Sequence, residues 1–121
     1  MTPAVSPGRT PARAAVAGVH LAPEVRDYAV RIVRATRSAE APDGGSSPVS
    51  LGASPRASIF LARAARARAL LDGRRYTTPH DVKSAAPDVL RHRILVTYEA
   101  EADGITPDRV VESVLASVET P

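Results

Sequence analysis

The chain has 121 residues, a net charge of +3 and no cysteine. It is therefore sized for one domain, and disulfides and thiolate metal sites are excluded. The apolar residues are mostly small, with 22 alanines and 14 valines against four aromatic residues, which predicts closely spaced helices around a thin core. No apolar run approaches the roughly 20 residues of a membrane span, and the N-terminus lacks the pattern of a signal peptide. We therefore expect a cytoplasmic protein without a membrane span.

The excess of basic residues could indicate nucleic-acid binding. All but one of the 16 basic residues are arginines, however, a skew that a GC-rich genome produces without selection for phosphate binding. The thirteen acidic residues are spread through the same segments. This distribution argues against nucleic acid as a partner, and a free-standing basic helical domain that binds nucleic acid is kept as the alternative function.

Residues 1–18 carry three prolines and two glycines, which predicts a loose N-terminal segment. A short helix could begin at Thr10 and end at Gly18, since Pro follows Thr10 at the first helical position. The first full helix is predicted over 23–37, with Pro23 in its first turn. Its apolar stripe has helical spacing and consists of Val25, Tyr28, Ala29, Ile32, Val33 and Thr36.

Residues 38–53 are rich in Ser, Gly and Pro and predict a long loop. The second helix is predicted over 55–71, with Ser54 as its N-cap and Gly73 as its stop. We expect Phe60, like Tyr28, to be a core anchor. The predicted buried stripe of this helix is Phe60, Ala64, Ala67 and Leu71.

The third helix is predicted to begin after Thr78, and Asp81 stands where a shortened capping box needs an acid. Pro87 should interrupt this helix, and a new turn should start there. Residues 94–100 could form a strand or a helix, and we favour a helix. The last helix follows Thr106, and its stripe is Val110, Val111, Val114, Leu115 and Val118. These segments predict an all-α fold, a small bundle of about five helices.

No motif for autonomous catalysis is present in the sequence. It contains no G-x-x-x-x-G-K-[S/T] phosphate loop and no apolar strand ending in paired acids. The histidines, His20, His80 and His92, lie far apart without metal-ligand spacing, so we expect no metal site. We interpret His92 as a structural or helix-end residue. The chain is not expected to be an enzyme by itself.

Arg56 stands at the second position of the predicted second helix, where the helix dipole disfavours a cation by some tenths of a kcal/mol. An exposed side chain reaching into solvent would explain it. A second explanation is that a phosphate is brought to this helix end, so that the guanidinium and the free backbone N–H groups converge on it.

Several sequence blocks follow one another in a specific order: VRATR at 33–37, LGASPRA at 51–57, ARARALLDGR at 65–74, YTTPHDV at 76–82, VLRHRI at 89–94 and VETP at 118–121. Over about residues 19–121, these ordered blocks resemble the C-terminal lid of the MoxR family of AAA+ ATPases. The family usually has Glu where His80 stands, and because Asp81 remains, the helix cap should survive.

The resemblance implies an AAA+ lid-type bundle in which Arg56 is the sensor-2 residue, with Ser54 and Ala53 in the same nucleotide-binding run. Arg56 would approach the terminal phosphate of ATP held between a core domain and this lid, because a guanidinium pairs with two phosphate oxygens. Mg would be bound by the core domain only. Loss of the phosphate on hydrolysis would let the lid rotate, which would drive chaperone-like remodelling of partner proteins.

The nucleotide-binding core of the family is missing from this sequence, and Met1 precedes what looks like an interdomain junction. We therefore expect an excised domain or a truncated gene product, with residues 1–18 as the junction. The implied partners are its own AAA+ core, neighbouring subunits of a ring and an unidentified client protein. A solitary adaptor that docks on a separately encoded core is a further alternative. We interpret Arg74 and Arg75 as a solvated turn, with contact to a ring neighbour as the alternative.

Overall fold

The computed structural model describes residues 14–39 and 47–121, which fold into a helical bundle with one two-stranded sheet. The named elements are α1 (Pro23–Arg37), β1 (Val49–Leu51), α2 (Ala57–Leu71), α3 (Pro79–Leu90), β2 (Leu95–Val96), α4 (Tyr98–Ala102) and α5 (Pro107–Ser117). The predicted all-α bundle is confirmed, with a very small sheet added. Among the described residues, no helix has the length and apolar character that a membrane span requires.

Helix α1 is the most regular element and has the predicted bounds. Pro23 occupies its first turn, Glu24 lies near its positive end, and Arg34 and Arg37 lie near its negative end, as the helix dipole favours. All six residues of the predicted stripe are buried, with Tyr28 and Ile32 among the largest fully buried side chains. The stripe of α1 is the centre of the core.

The predicted buried face of α2 is wrong. Phe60 is 37% exposed and Leu71 is 86% exposed, so Phe60 is not a core anchor. The face that α2 buries consists of Ala57, Leu61, Ala65 and Ala69. Alanines occur on every side of this helix, so its hydrophobic periodicity is weak, and the small residues allow close packing of α2 against α3.

The predicted capping box of α3 is present. The Thr78 hydroxyl accepts from the Asp81 backbone N–H at 3.4 Å, and the Asp81 carboxylate accepts from the Thr78 N–H at 2.8 Å. The predicted interruption at Pro87 is wrong, because α3 continues through it to Leu90. Pro87 lacks an N–H to donate, yet its own carbonyl still accepts from the Arg91 N–H at 3.0 Å.

Residues 94–100, where the sequence allows a strand or a helix, contain a short strand followed by the start of a helix. Leu95–Val96 form β2, and Thr97 then caps the short α4 by accepting from the Ala100 N–H at 3.1 Å. The partner strand β1 lies within the predicted loop 38–53, so that part of the prediction is wrong. The strands are antiparallel, with Val49 opposite Val96 and Leu51 opposite Leu95.

The first and last described segments complete the framework. Residues 14–17 are helical and Gly18 closes that turn, in agreement with the predicted helix end, whereas Thr10 and residues 40–46 lie outside the described residues. His20 forms a parallel bridge with Tyr76. Helix α5 begins after Thr106 as predicted, and its stripe buries Val110, Val111 and Val114, with Leu115 and Val118 half-buried.

Candidate functional site

The start of α2 is a 3₁₀ turn, and this changes two predictions. The N–H groups of Ala57, Ser58 and Ile59 donate to the carbonyls of the residues three positions earlier, at 2.9, 3.2 and 3.0 Å. The helix begins two residues later than predicted, its N-cap position is Arg56, and no side chain caps it. The predicted N-cap role of Ser54 is therefore wrong. These three N–H groups are already bonded, so they are not free to converge with Arg56 on an anion.

Ala53 fixes the run that leads into this turn. Its side chain is fully buried in the core. Its backbone N–H donates to the Thr36 hydroxyl at 3.0 Å, and its carbonyl accepts from Arg37 Nη1 at 3.1 Å. Both polar groups of one residue are thus held by two consecutive residues at the end of α1.

Arg56 itself is exposed, as is Ser54 in the same run. No acidic side chain in the described part of the chain lies within ion-pair distance of Arg56. The guanidinium also stands at the electropositive end of α2, where a cation gains nothing from the helix. The backbone of Arg56 is therefore anchored in the fold while its charge is directed outward.

A basic groove continues from this end of α2 and lies between α1 and α2. It has a volume of about 350 Å³, and Arg26, Arg63 and Arg66 line it. Its remaining lining residues are apolar or Ser58, and none is acidic. The Arg66 Nε atom is buried without a hydrogen-bond partner among the described residues. Arg63 follows Arg56 by seven residues along the chain, and both side chains are exposed.

The interpretation of Arg74 as part of a solvated turn is wrong, because its side chain is bonded to two carboxylates. Its guanidinium donates two bonds to the Asp81 carboxylate, at 2.7 and 2.6 Å, and a third to Asp72 at 3.0 Å. The Asp81 side chain is only 3% exposed. The bonds from Arg74, together with those from Thr78, hold the pKa of Asp81 below its ordinary value despite burial, and the pKa of Arg74 is raised.

Other basic residues are also engaged within the fold. Arg91 contacts Asp108 at 2.9 Å and Asp88 at 3.1 Å, and the bond to Asp108 raises its pKa. The Arg93 guanidinium lies over the Phe60 ring, 4.8 Å from its centroid. His80 lies 3.3 Å from the Ser84 hydroxyl, while His20 and His92 are exposed. No cluster of three metal-ligating side chains occurs among the described residues.

Comparison with known proteins identifies the family. Residues 34–114 match the family model described as the AAA lid domain. The chain is 50% identical over 97 residues to the "Chaperone MoxR1" of Mycobacterium tuberculosis, covering 78% of this chain and 26% of that protein. It is 33% identical over 112 residues to the "Protein MoxR" of Paracoccus denitrificans, covering 86% of this chain and 33% of that protein.

The fold has a solved counterpart. A crystal structure of a candidate ATPase from Cytophaga hutchinsonii superposes with a TM-score of 0.78 at 33% identity, covering 90% of this chain and 34% of the other. The chain thus spans about a quarter to a third of the length of these relatives. With the family model, the named relatives and the fold in agreement, this chain belongs to the AAA lid domain family and is a lid of the MoxR type.

Proposed function

We propose that this chain is the sensor-2 lid of a MoxR-type AAA+ ATPase, in which Arg56 binds the terminal phosphate of ATP held on the core domain. The core would supply the phosphate loop and the Mg ligands. Ser54 would line the same edge of the site, whereas the buried Ala53 would hold the run in place. The observation that carries the proposal is the exposed Arg56 guanidinium on a backbone that is anchored through Ala53.

Electrostatics support an anionic ligand at this end of α2. A guanidinium without an acidic partner among the described residues, next to a groove lined by three arginines and no acid, forms a local excess of positive charge. The planar guanidinium can donate two parallel bonds to phosphate oxygens and stays charged at any physiological pH. The N–H groups of the 3₁₀ turn are already used, so the guanidinium would provide the contact.

Hydrolysis would remove the group that Arg56 holds and release the lid from the core. Such a change converts the state of the nucleotide into a rotation of one domain against another. We propose that this rotation serves the remodelling of a client protein in the cytoplasm, within a ring in which neighbouring subunits contact each other. The names of the relatives, chaperone MoxR1 and protein MoxR, support this direction.

The test is ATP turnover by the complete ATPase that contains this lid. Arg56→Ala should lower kcat by about 100-fold, because a charged donor to the reacting phosphate is lost. Arg56→Lys should recover part of the rate, since it restores the charge without the two-pronged geometry. Arg68→Ala is the matched control, an exposed arginine at the other end of α2, and should leave turnover unchanged.

Two outcomes would count against the proposal. Unchanged turnover and unchanged coupling in Arg56→Ala would remove this residue from the mechanism. The isolated 121-residue chain should bind ATP weakly or undetectably, because the core supplies most of the contacts. A tight complex of the isolated chain with ATP would therefore contradict the proposal that the core provides most of the ATP contacts.

Nucleic-acid binding is not favoured as the function. Arg31, Arg74 and Arg91 form ion pairs within the fold, so part of the positive charge is already balanced by acidic side chains. A titration with DNA at two salt concentrations would detect real phosphate contacts as a steep loss of affinity with salt. We expect weak binding with no such steep dependence.

A further inference from the structure

Thr36 is a buried residue whose hydroxyl makes two hydrogen bonds, one as a donor and one as an acceptor. Its Oγ1 donates to the Val33 carbonyl at 2.6 Å. This bond orients the hydroxyl, so that an oxygen lone pair faces the Ala53 N–H, which donates to it at 3.0 Å. The side chain itself is fully buried, which excludes water as a competing partner. Thr36 therefore acts as a fixed acceptor for the backbone of Ala53.

Gly52 packs closely against the last turn of α1. A Cβ atom at this position would lie 2.7 Å from both Cα and Cγ of Arg37 and 2.8 Å from its backbone nitrogen. The Gly52 backbone is thus in direct contact with the last turn of α1. Arg37 packs against Gly52 and also donates to the Ala53 carbonyl. Together with the bond from the Ala53 N–H to Thr36, these contacts fix the backbone of residues 52–53.

Arg56 lies within the tight turn 54–57, which directly follows this anchored pair. The turn is closed by the bond from the Ala57 N–H to the Ser54 carbonyl, and the Ser58 hydroxyl donates to the Pro55 carbonyl at 2.7 Å. Pro55 has a fixed φ angle, which stiffens the turn further. Ala57, at the far end, is fully buried. A displacement of Ala53 would consequently be transmitted to the Arg56 backbone.

We propose that Thr36 and Arg37 are positioning residues that place the Arg56 guanidinium against the terminal phosphate by fixing the Ala53 backbone. The inference rests on the proposed function of Arg56 and adds a connection from the end of α1 to the nucleotide. A guanidinium that is displaced by a fraction of an ångström loses its two-pronged geometry on the phosphate, although its charge is unchanged.

The first experiment measures the anchor itself in the 121-residue chain. Thr36→Val removes the acceptor of the Ala53 N–H while keeping the shape of the side chain, and hydrogen exchange at the Ala53 amide should become about tenfold faster. Thr36→Ser keeps the oxygen and should keep the protection. Thr106→Val is the matched control, since it removes a hydroxyl acceptor from the start of α5 and should leave exchange at Ala53 unchanged.

The second experiment measures ATP turnover in the complete ATPase. Thr36→Val and Arg37→Met should each lower kcat about tenfold, whereas the affinity for ADP, which lacks the terminal phosphate, should not change. In an Arg56→Ala background the same substitutions should cause no further loss, because the residue through which they act is gone. Arg37 is exposed, so Arg37→Met decides the question if Thr36→Val does not fold.

The outcomes separate this inference from the proposed function. Equal losses with and without the Arg56 side chain, or a weakened affinity for ADP, would show a general structural role and overturn the inference. If Arg56→Ala impairs turnover while both α1 variants hydrolyse ATP at the normal rate, the inference fails and the proposed function remains. Unchanged turnover in Arg56→Ala would overturn both.

Discussion

Arg56 and Arg74 are two arginines in neighbouring sequence blocks that the fold treats in opposite ways. Arg74 donates to a carboxylate that is almost fully buried, and its charge is balanced inside the domain. Arg56 has its backbone anchored next to a buried alanine, while its charge has no acidic partner among the described residues. One arginine stabilises the domain, and the other is available to a ligand outside it.

The contrast shows where to look for function in a domain with many arginines. A balanced guanidinium contributes to folding and leaves little charge for a partner. An unbalanced guanidinium loses less conformational entropy on binding a ligand when the fold already fixes its backbone. The anchored backbone of Arg56 meets this condition. The contrast can be tested through the stability of the domain.

The largest loss of stability is expected for Arg74→Ala. Among the described residues the substitution leaves the buried Asp81 carboxylate with the Thr78 groups as its partners, and we expect a larger fall in the free energy of unfolding than for the two variants below. Urea unfolding of the 121-residue chain at pH 7 measures it. Arg75→Ala is the control at the neighbouring exposed position and should be close to neutral.

The Arg74–Asp81 ion pair also predicts how the stability difference between the wild type and Arg74→Ala depends on pH. The folded pKa of Asp81 lies below its ordinary value of 3.8. Its contribution is therefore complete above that ordinary value and is lost as the pH falls through the lower folded value. The stability gap between the wild type and Arg74→Ala should be full at pH 7 and should shrink below about pH 4. A gap that stayed constant in acid would contradict the role of the ion pair.

A smaller loss is expected for Gly52→Ala. The new methyl group would collide with the backbone of Arg37, which cannot move without shifting the end of α1. We expect a cost of about 2 kcal/mol, typical of overpacking. Gly18→Ala is a matched control, because among the described residues its Cβ would meet ordinary contacts at 3.5 Å. Equal stability of the two variants would show that Gly52 is not closely packed.

The smallest effect is expected for Arg56→Ala in the isolated chain. Removal of a cation from the positive end of α2, where no internal acid among the described residues balances it, should change stability by less than about 0.5 kcal/mol. The value comes from the same urea unfolding. A loss above about 1 kcal/mol would mean that Arg56 has an internal partner and would remove the contrast with Arg74.

The sequence predicted some helices far better than others. In α1 most of the apolar residues fall on one side, so the periodicity identifies the buried face. In α2 alanines occur on most sides of the helix, so the prediction placed the large residues Phe60 and Leu71 on the buried face. The structure instead buries a face made mostly of alanines. Strand β1 escaped prediction because three residues of strand in a loop leave almost no pattern.

The candidate site shows a similar division. The position of Arg56 near a helix start could be read from the prolines, serine and glycine around it. The pairing of Arg74 with Asp81 could not, since it depends on how a turn folds back over a helix cap. The Ala53 N–H donates to Thr36, 17 positions away, and the Ala53 carbonyl accepts from Arg37, 16 positions away, and no local pattern encodes such tertiary contacts.

The alanine face of α2 has a consequence for how such lids can diverge. Ala57, Ala65 and Ala69 are fully buried, so their contacts bring the backbone of α2 close to its neighbours, and they have no rotamers with which to absorb a change. A single added methyl group on this face would therefore move the whole helix axis. A change in the spacing between helices would shift the start of α2, so substitutions far from Arg56 could change the position of its exposed charge.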